Sequence, residues 1–170
     1  PVASPIVITE IMYHPTGDSL ADPGLEYIEI YNKSGSTVDL TGWAFTQGVD
    51  YAFPIGTQIL AGEYIVIAGD PSGVASAYNV SGLVLGPFEN GTKLSNFSDE
   101  LEIEDHLGNR ADFVEYRQEG LWPVTEDYCA NNGPDGCGSS LELINVDMDN
   151  RLPGMWQASA GTGTPGDPNS

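Results

Sequence analysis

LSNFSDELEIEDHLGNRADFVEY, residues 94–116, carries the alternation that decides the fold. Leu101 and Ile103 alternate with Glu100, Glu102 and Glu104, the period-two pattern of a strand with one apolar and one polar face. Leu107, Gly108 and Asn109 read as a tight turn, and RADFVEY returns as the second arm of a β-hairpin. Outward from this hairpin the same signals recur. PIVITEIMY reads as a first strand centred on Ile6 to Ile11, LEYIEIYN as a strand at 25–32, and VDLTGWAF as a restart of the apolar pattern at 38–45. A short run at 50–53 ends at Pro54, which cannot donate within a central ladder. Tyr64 to Ala68 is a strong strand, Val80 to Leu85 a further one, and SSLELIN at 139–145 a last short one. Residues 117–139 are loop by composition, and Ser72 to Tyr78 offers at most a short turn of helix. LEYIEIYN sets Glu26, Ile28 and Ile30 on one face and Leu25, Tyr27, Glu29 and Tyr31 on the other, so it is expected to be central and covered on more than one side. Many short strands separated by turns favour an all-β sandwich or barrel over βαβ units, and there is no convincing internal repeat.

At 170 residues, with an apolar fraction of 40%, the chain fits one domain that buries enough surface to fold without a staple. Its 21 glycines and 12 prolines agree with a turn-broken β chain. We expect one β-sandwich domain over residues 1–160 and a flexible tail or inter-domain linker over 161–170, where the sequence becomes GTGTPGDPNS. No continuous apolar run is long enough to cross a bilayer as a helix. The opening residues show no basic-plus-apolar leader, and the chain, starting at Pro1, leaves export open.

Five Lys plus Arg against 25 Asp plus Glu give a formal net charge of -20. Such a surface repels phosphate backbones and anionic membranes, so nucleic acid is an unfavoured partner, and it attracts divalent cations or a basic partner. One reading spreads the acids over a solvated face as a solubility or saline adaptation. The other gathers some of them around Ca²⁺, which needs several hard oxygen donors. The best local candidate is the DMDN stretch with Asp147, Asp149 and Asn150, which is also readable as an ordinary acidic turn and lacks the glycine and final glutamate of an EF-hand. Glu10, Asp22, Asp99 and Glu100 are further candidates whose convergence depends on the fold.

The two cysteines, Cys129 and Cys137, flank a Gly- and Pro-containing stretch that can fold back on itself. The favoured reading is a local disulfide formed in an oxidising compartment, with free thiols as the alternative. A metal site is poorly supported, because no second thiol pair is present and both histidines are distant in sequence.

Several motifs together carry a family resemblance: IVITEIMYHP at 6–15, EYIEIYNKSGSTVDLTGWAF at 26–45, YAFPIGTQILAGEYIVIAG at 51–69, and the 94–116 hairpin. SLELINVDMDNRLPGMWQAS followed by GTPGDPN extends the likeness toward the carboxy terminus. The chain resembles the lamin-tail domain family, and more closely its bacterial secreted representatives. The resemblance implies an immunoglobulin-like β-sandwich without an established catalytic constellation, of the kind used as an accessory module in secreted or surface multidomain proteins. Nuclear members engage chromatin and DNA through basic surfaces. This acidic chain departs from that pattern and has no coiled-coil rod, so those partners do not carry over. Within the resemblance, Trp43 fits a buried anchor, Asn32 a turn organiser bonded to backbone, and Gly62 and Gly108 the turns before and between strands.

No catalytic residue is assigned. Glu26 and Glu29 point to opposite strand faces, His14 and His106 sit in turns outside any HExxH, and no GxSxG elbow or phosphate-binding loop is present. We therefore expect a noncatalytic, secreted or cell-surface interaction or scaffold module, a monomeric unit of a multidomain parent that meets a protein or surface partner through loops near 14–25, 69–93 and 117–139. A carbohydrate-binding module is the alternative, with Tyr13, Trp122, Tyr128 and Trp156 near turns as polysaccharide contacts. A calcium-stabilised structural domain is the third reading.

Overall fold

The computed structural model describes residues 4–16, 24–123 and 134–170. Its strands are β1 (Ile6–Met12), β2 (Tyr27–Asn32), β3 (Val38–Asp39), β4 (Ala44–Gln47), β5 (Tyr51–Ala52), β6 (Gln58–Ile59), β7 (Tyr64–Ala68), β8 (Leu83–Leu85), β9 (Ser98–Glu104), β10 (Arg110–Arg117), β11 (Leu141–Leu143) and β12 (Trp156–Ala158). One short helix, α1 (Pro71–Ala77), joins β7 to β8, and a 3₁₀ turn precedes β12. The strands form a six-stranded sheet in the order β12-β11-β1-β2-β7-β8, a four-stranded sheet β10-β9-β4-β5, and a small β3-β6 pair. All pairings between named strands are antiparallel except β7 with β8, whose parallel pairing α1 makes possible by crossing over.

The decisive hairpin forms as its sequence predicts. β9 and β10 pair from Arg110↔Glu104 to Arg117↔Ser98, and Gly108, at φ +75°, takes the left-handed turn position that residues with a Cβ disfavour. Asp105 holds the turn from inside, its Oδ1 accepting the backbone N–H of Leu107 at 2.8 Å and of Asn109 at 2.9 Å. The alternating apolar residues then meet those of the facing sheet. Leu101, Ile103, Val114 and Tyr116 pack against Ile8, Ile28, Ile30, Ile65 and Ile67, which makes the sandwich core. Trp43 is buried as an anchor, and Asn32 organises its turn by donating to the carbonyls of Ser36 and Ile59 while accepting from Ser34.

β2 is central, between β1 and β7, and covered on both sides. Ile28 and Ile30 enter the sandwich, while Tyr27 joins Met12, Val66 and Ala68 on the outer face, under Val74 of α1. Asp70 caps α1 through the backbone N–H groups of Ser72 and Gly73, each at 3.1 Å, with Pro71 at the first turn. The six-stranded sheet is thus the middle layer of three.

The third layer is completed by a segment whose composition predicts something else. Residues 161–170, expected as a flexible tail or linker, lie across the outer face of β11, β1 and β2 and bond to it. Glycine and proline serve a strap that follows a sheet surface as well as they serve a linker, so composition does not separate the two. β6 and β12 are additions to the expected strands, and β12 extends the six-stranded sheet. Trp156 opens β12, pairing with Leu143 of β11 and burying its ring.

Candidate functional site

Three glutamates stand side by side on the outer face of the six-stranded sheet. Glu142 of β11 and Glu29 of β2 are the cross-strand partners of Glu10 of β1, and all three are 0% exposed. Strict alternation would turn Glu10 to the same side as Ile6 and Ile8, into the core. A register shift between Ile8 and Glu10 prevents this, and Thr9 and Glu10 both reach the outer layer while Ile11 returns to the core.

The strap meets these carboxylates with donors. Glu10 Oε1 accepts from the Tyr27 hydroxyl at 2.6 Å, from the Ser140 hydroxyl, and from the Thr164 backbone N–H at 2.9 Å. Glu29 accepts from the Thr9 hydroxyl at 2.6 Å and the Gly166 N–H at 2.7 Å. Glu142 accepts from the Thr164 hydroxyl at 2.8 Å and from the N–H and hydroxyl of Ser170 at 2.9 and 2.7 Å. Asn169 anchors the strap further by donating to the carbonyls of Thr9 and Leu143.

Burial disfavours the charged forms of Glu10 and Glu29. Desolvation pushes Glu10 up to about 7, against hydrogen bonds from Ser140, Tyr27 and Thr164 that favour its charged form, and the Glu142 charge adds to the rise. Glu29 is raised well above the ordinary carboxylate range by burial and then by the Glu10 charge. Among the described residues Glu10 Oε2 has no hydrogen-bond partner, so a proton there removes the charge without disturbing the three bonds at Oε1. The cluster is closed as well as buried. At Gly163, φ is +94° and an added Cβ would lie 2.3 Å from the Tyr27 hydroxyl and 2.8 Å from Glu10 Oε1. Gly163→Ala is therefore expected to cost about 1–3 kcal/mol, read by urea denaturation, from a strained φ plus displacement of the strap. A loss below about 0.5 kcal/mol would mean that the strap yields at no cost.

The calcium candidates are dispersed through the fold. Glu10 belongs to the sealed cluster, while Asp99, half-buried, accepts from the backbone N–H groups of Ser95 and Glu100, with Glu100 beside it on β9. Asp147 is exposed on a turn whose backbone N–H bonds to Asn145. Asp149 is taken by Arg151, which donates Nε and Nη2 to its two oxygens at 2.8 Å each. Asn150 is buried, donating to Asp112 Oδ2 at 2.7 Å, while its carbonyl accepts the Trp156 indole N–H at 2.7 Å. Asp22 lies outside the described residues. Among those described, no group of three acidic, His or Cys side chains has an arrangement that would hold a metal ion.

The aromatic candidates for sugar contact turn inward. Tyr13, 0% exposed, stacks on Tyr116 with centroids 4.8 Å apart, and Trp122 and Trp156, 5% and 4% exposed, pack on each other at 5.9 Å. The three rings complete the sandwich core and present no face to a ligand. Tyr128 lies outside the described residues, as does Cys129. His14 pairs with Asp135 at 2.7 Å, and His106 packs at the Gly42 corner, away from the glutamates.

What is open is a groove of about 510 Å³ between the start of β1, the start of β10 and the 148–151 loop. Lys33, Arg110 and Arg151 line it together with Asp112, Phe113 and Met148. Arg110 donates to Glu102 at 2.6 Å with its guanidinium 4.6 Å from the Phe113 ring centroid, Lys33 donates to the Val146 carbonyl at 3.2 Å, and Asp112 Oδ2 accepts the Ile8 N–H at 2.7 Å. Burial raises Asp112, with these bonds and the Lys33 charge opposing the rise. Sequence reasoning missed this surface because residues 33, 110 and 151 are far apart in the chain; the scarcity of basic residues was the available signal.

No curated protein matches the chain. A family model, that of the Lamin Tail Domain, matches residues 1–118, which run through β10, whereas β11, β12 and the strap lie beyond the match. The matched part holds the whole four-stranded sheet and four strands of the six-stranded one, and with more than half of its length covered the chain belongs to the lamin tail domain family.

Proposed function

We propose that this protein is an extracellular interaction or scaffold module, a monomeric unit of a larger secreted or surface protein that carries no reaction of its own. Lamin tail domains are noncatalytic immunoglobulin-like interaction domains. The observation that carries the reading here is the use of the buried acids: Glu10, Glu29 and Glu142 are closed beneath the strap and bonded to it, as structural groups rather than groups presented to a substrate. Assays of the metal-replete chain on broad sets of ester, glycoside, peptide and phosphate substrates are expected to show no turnover above buffer. Turnover abolished by Glu10→Gln or Glu29→Gln in a folded variant overturns the proposal.

Export to an oxidising compartment is the second half of the reading. It rests on the sequence spacing of Cys129 and Cys137, whose proposed local disulfide would need an oxidising compartment to form. Titration of the unfolded chain with a thiol reagent is expected to find none before reduction and both thiols after it; two reactive thiols without reductant contradict the pairing. Calcium stabilisation is tested on the same preparation by melting with calcium and with chelator. The dispersal of its candidate ligands predicts coincident melts, and a calcium-dependent rise establishes a site elsewhere.

A further inference from the structure

We infer that the groove between β1 and β10 docks a short extended peptide segment in which acidic and apolar side chains alternate, supplied by a partner protein. This deepens the interaction-module reading and rests on it.

The first ground is the placement of charge. The chain has five Lys and Arg against 25 acids, and three of the five, Lys33, Arg110 and Arg151, line this one groove. The two acids in the same lining are occupied within the protein. Asp112 is nearly buried and takes the Ile8 N–H and the Asn150 amide, and Asp149 is chelated by Arg151. Those contacts hold the cations in place while using few of their donors. Arg110 spends one N–H on Glu102, and Lys33 donates to a neutral carbonyl while its charge also acts on Asp112. A guanidinium keeps its charge and offers five N–H donors in a fork that fits carboxylates. Elsewhere the surface repels an anionic segment, so the groove selects its position and orientation. At physiological salt, screening over roughly 8 Å confines each charge to its neighbourhood, so the acids on the rest of the surface act only weakly on the groove.

The second ground is the apolar half of the groove. Ala111, Phe113 and Met148 supply its accessible apolar surface, Met148 being half-exposed, while Ile6 and Val7 belong to the buried core behind it. Arginine, methionine and aromatic side chains are the types that concentrate binding energy at protein interfaces. A polysaccharide acid would satisfy the cations but set hydroxyls against this apolar wall, whereas alternating acidic and apolar side chains match both halves.

The test uses the full chain and a fluorescein-labelled hexapeptide of alternating Asp and Leu, with the Asn–Leu and Lys–Leu peptides and an oligogalacturonate as comparisons, read by anisotropy. Saturable binding of the Asp–Leu peptide that weakens with added salt is expected, with no binding of the other two peptides. Arg110→Gln with Arg151→Gln is expected to weaken it by about tenfold or more, and Lys93→Gln with Arg117→Gln, an equal change in net charge, by less than about twofold. Met148→Asp gives a second loss without touching an ion pair, and thermal melts identify any variant that fails to fold. The inference is overturned by no saturable binding, by equal losses in the two double variants, or by binding of the oligogalacturonate and not the peptide. Each of these leaves the noncatalytic reading standing, because that reading fails only on turnover.

Discussion

Trp156→Ala is expected to lower the unfolding free energy by about 3–5 kcal/mol, the cost of truncating a fully packed aromatic. Trp156 opens β12 at the outer edge of the six-stranded sheet and packs on Trp122, so the substitution leaves a cavity where the two indoles meet. It also removes the N–H that Asn150 O accepts at 2.7 Å, leaving a buried carbonyl without its donor. Asn150 in turn bonds Asp112 beside the groove, so the damage extends from the core to the groove wall. Urea denaturation measures the loss. Trp156→Phe keeps most of the volume and loses only the donor, and is expected to cost about 1–3 kcal/mol. A loss below about 1 kcal/mol in the alanine variant would show that β12 is a loosely attached edge.

Stability is expected to fall as pH rises from 5 to 8, the reverse of the usual behaviour of ion-paired carboxylates. The native Glu10 carboxyl sits near 7 against an ordinary 4.5, so between those values the folded chain holds a proton that the unfolded chain releases. Its contribution is complete below about 4.5 and is lost as pH climbs through 7, on the order of 3 kcal/mol in all. Glu29 acts in the same direction. The groups facing Glu10 are Glu29 and Tyr27 on β2, Glu142 on β11, Tyr78 at the end of α1, and the Thr164 N–H of the strap. Asp39, Asp70, Asp105 and Asp149 are held below the ordinary range by local hydrogen bonds, so their contributions disappear only in stronger acid, outside this window. Glu10→Gln is expected to flatten the slope and to be at least as stable as the parent at pH 8, because it removes a buried charge and keeps the shape. Urea denaturation at intervals from pH 5 to 8 reads both; stability that rises across the window contradicts the linkage.

The frame of this fold was legible because its signals are local. The 94–116 hairpin, the two-sided β2, the Trp43 anchor and the Asn32 turn all depend on alternation or on neighbours within a few residues. What was not legible depends on distance. The bulge that turns Glu10 outward leaves the composition of β1 unchanged, and the partners of Glu10 come from residues 140 and 164. With its partners unseen, Glu10 reads as a cation ligand, and a strap of Gly, Thr and Pro reads as a linker. The aromatic residues near turns misled for a related reason: proximity to a loop in sequence does not set which way a ring points, and Tyr13, Trp122 and Trp156 point inward. The groove collects cations from three separate parts of the chain, which no single window of sequence displays.

The sealing of the acid cluster beneath the strap is what separates a structural use of these carboxylates from a chemical one. A carbon-13 NMR titration of the Glu10 carboxyl in the full chain, followed together with the Thr164 and Gly166 amides, tests it most directly. A midpoint near 7 with both amides moving on the same curve is the predicted result. A midpoint near 4.5 with both amides silent would contradict it, placing Glu10 in contact with water and free of the strap.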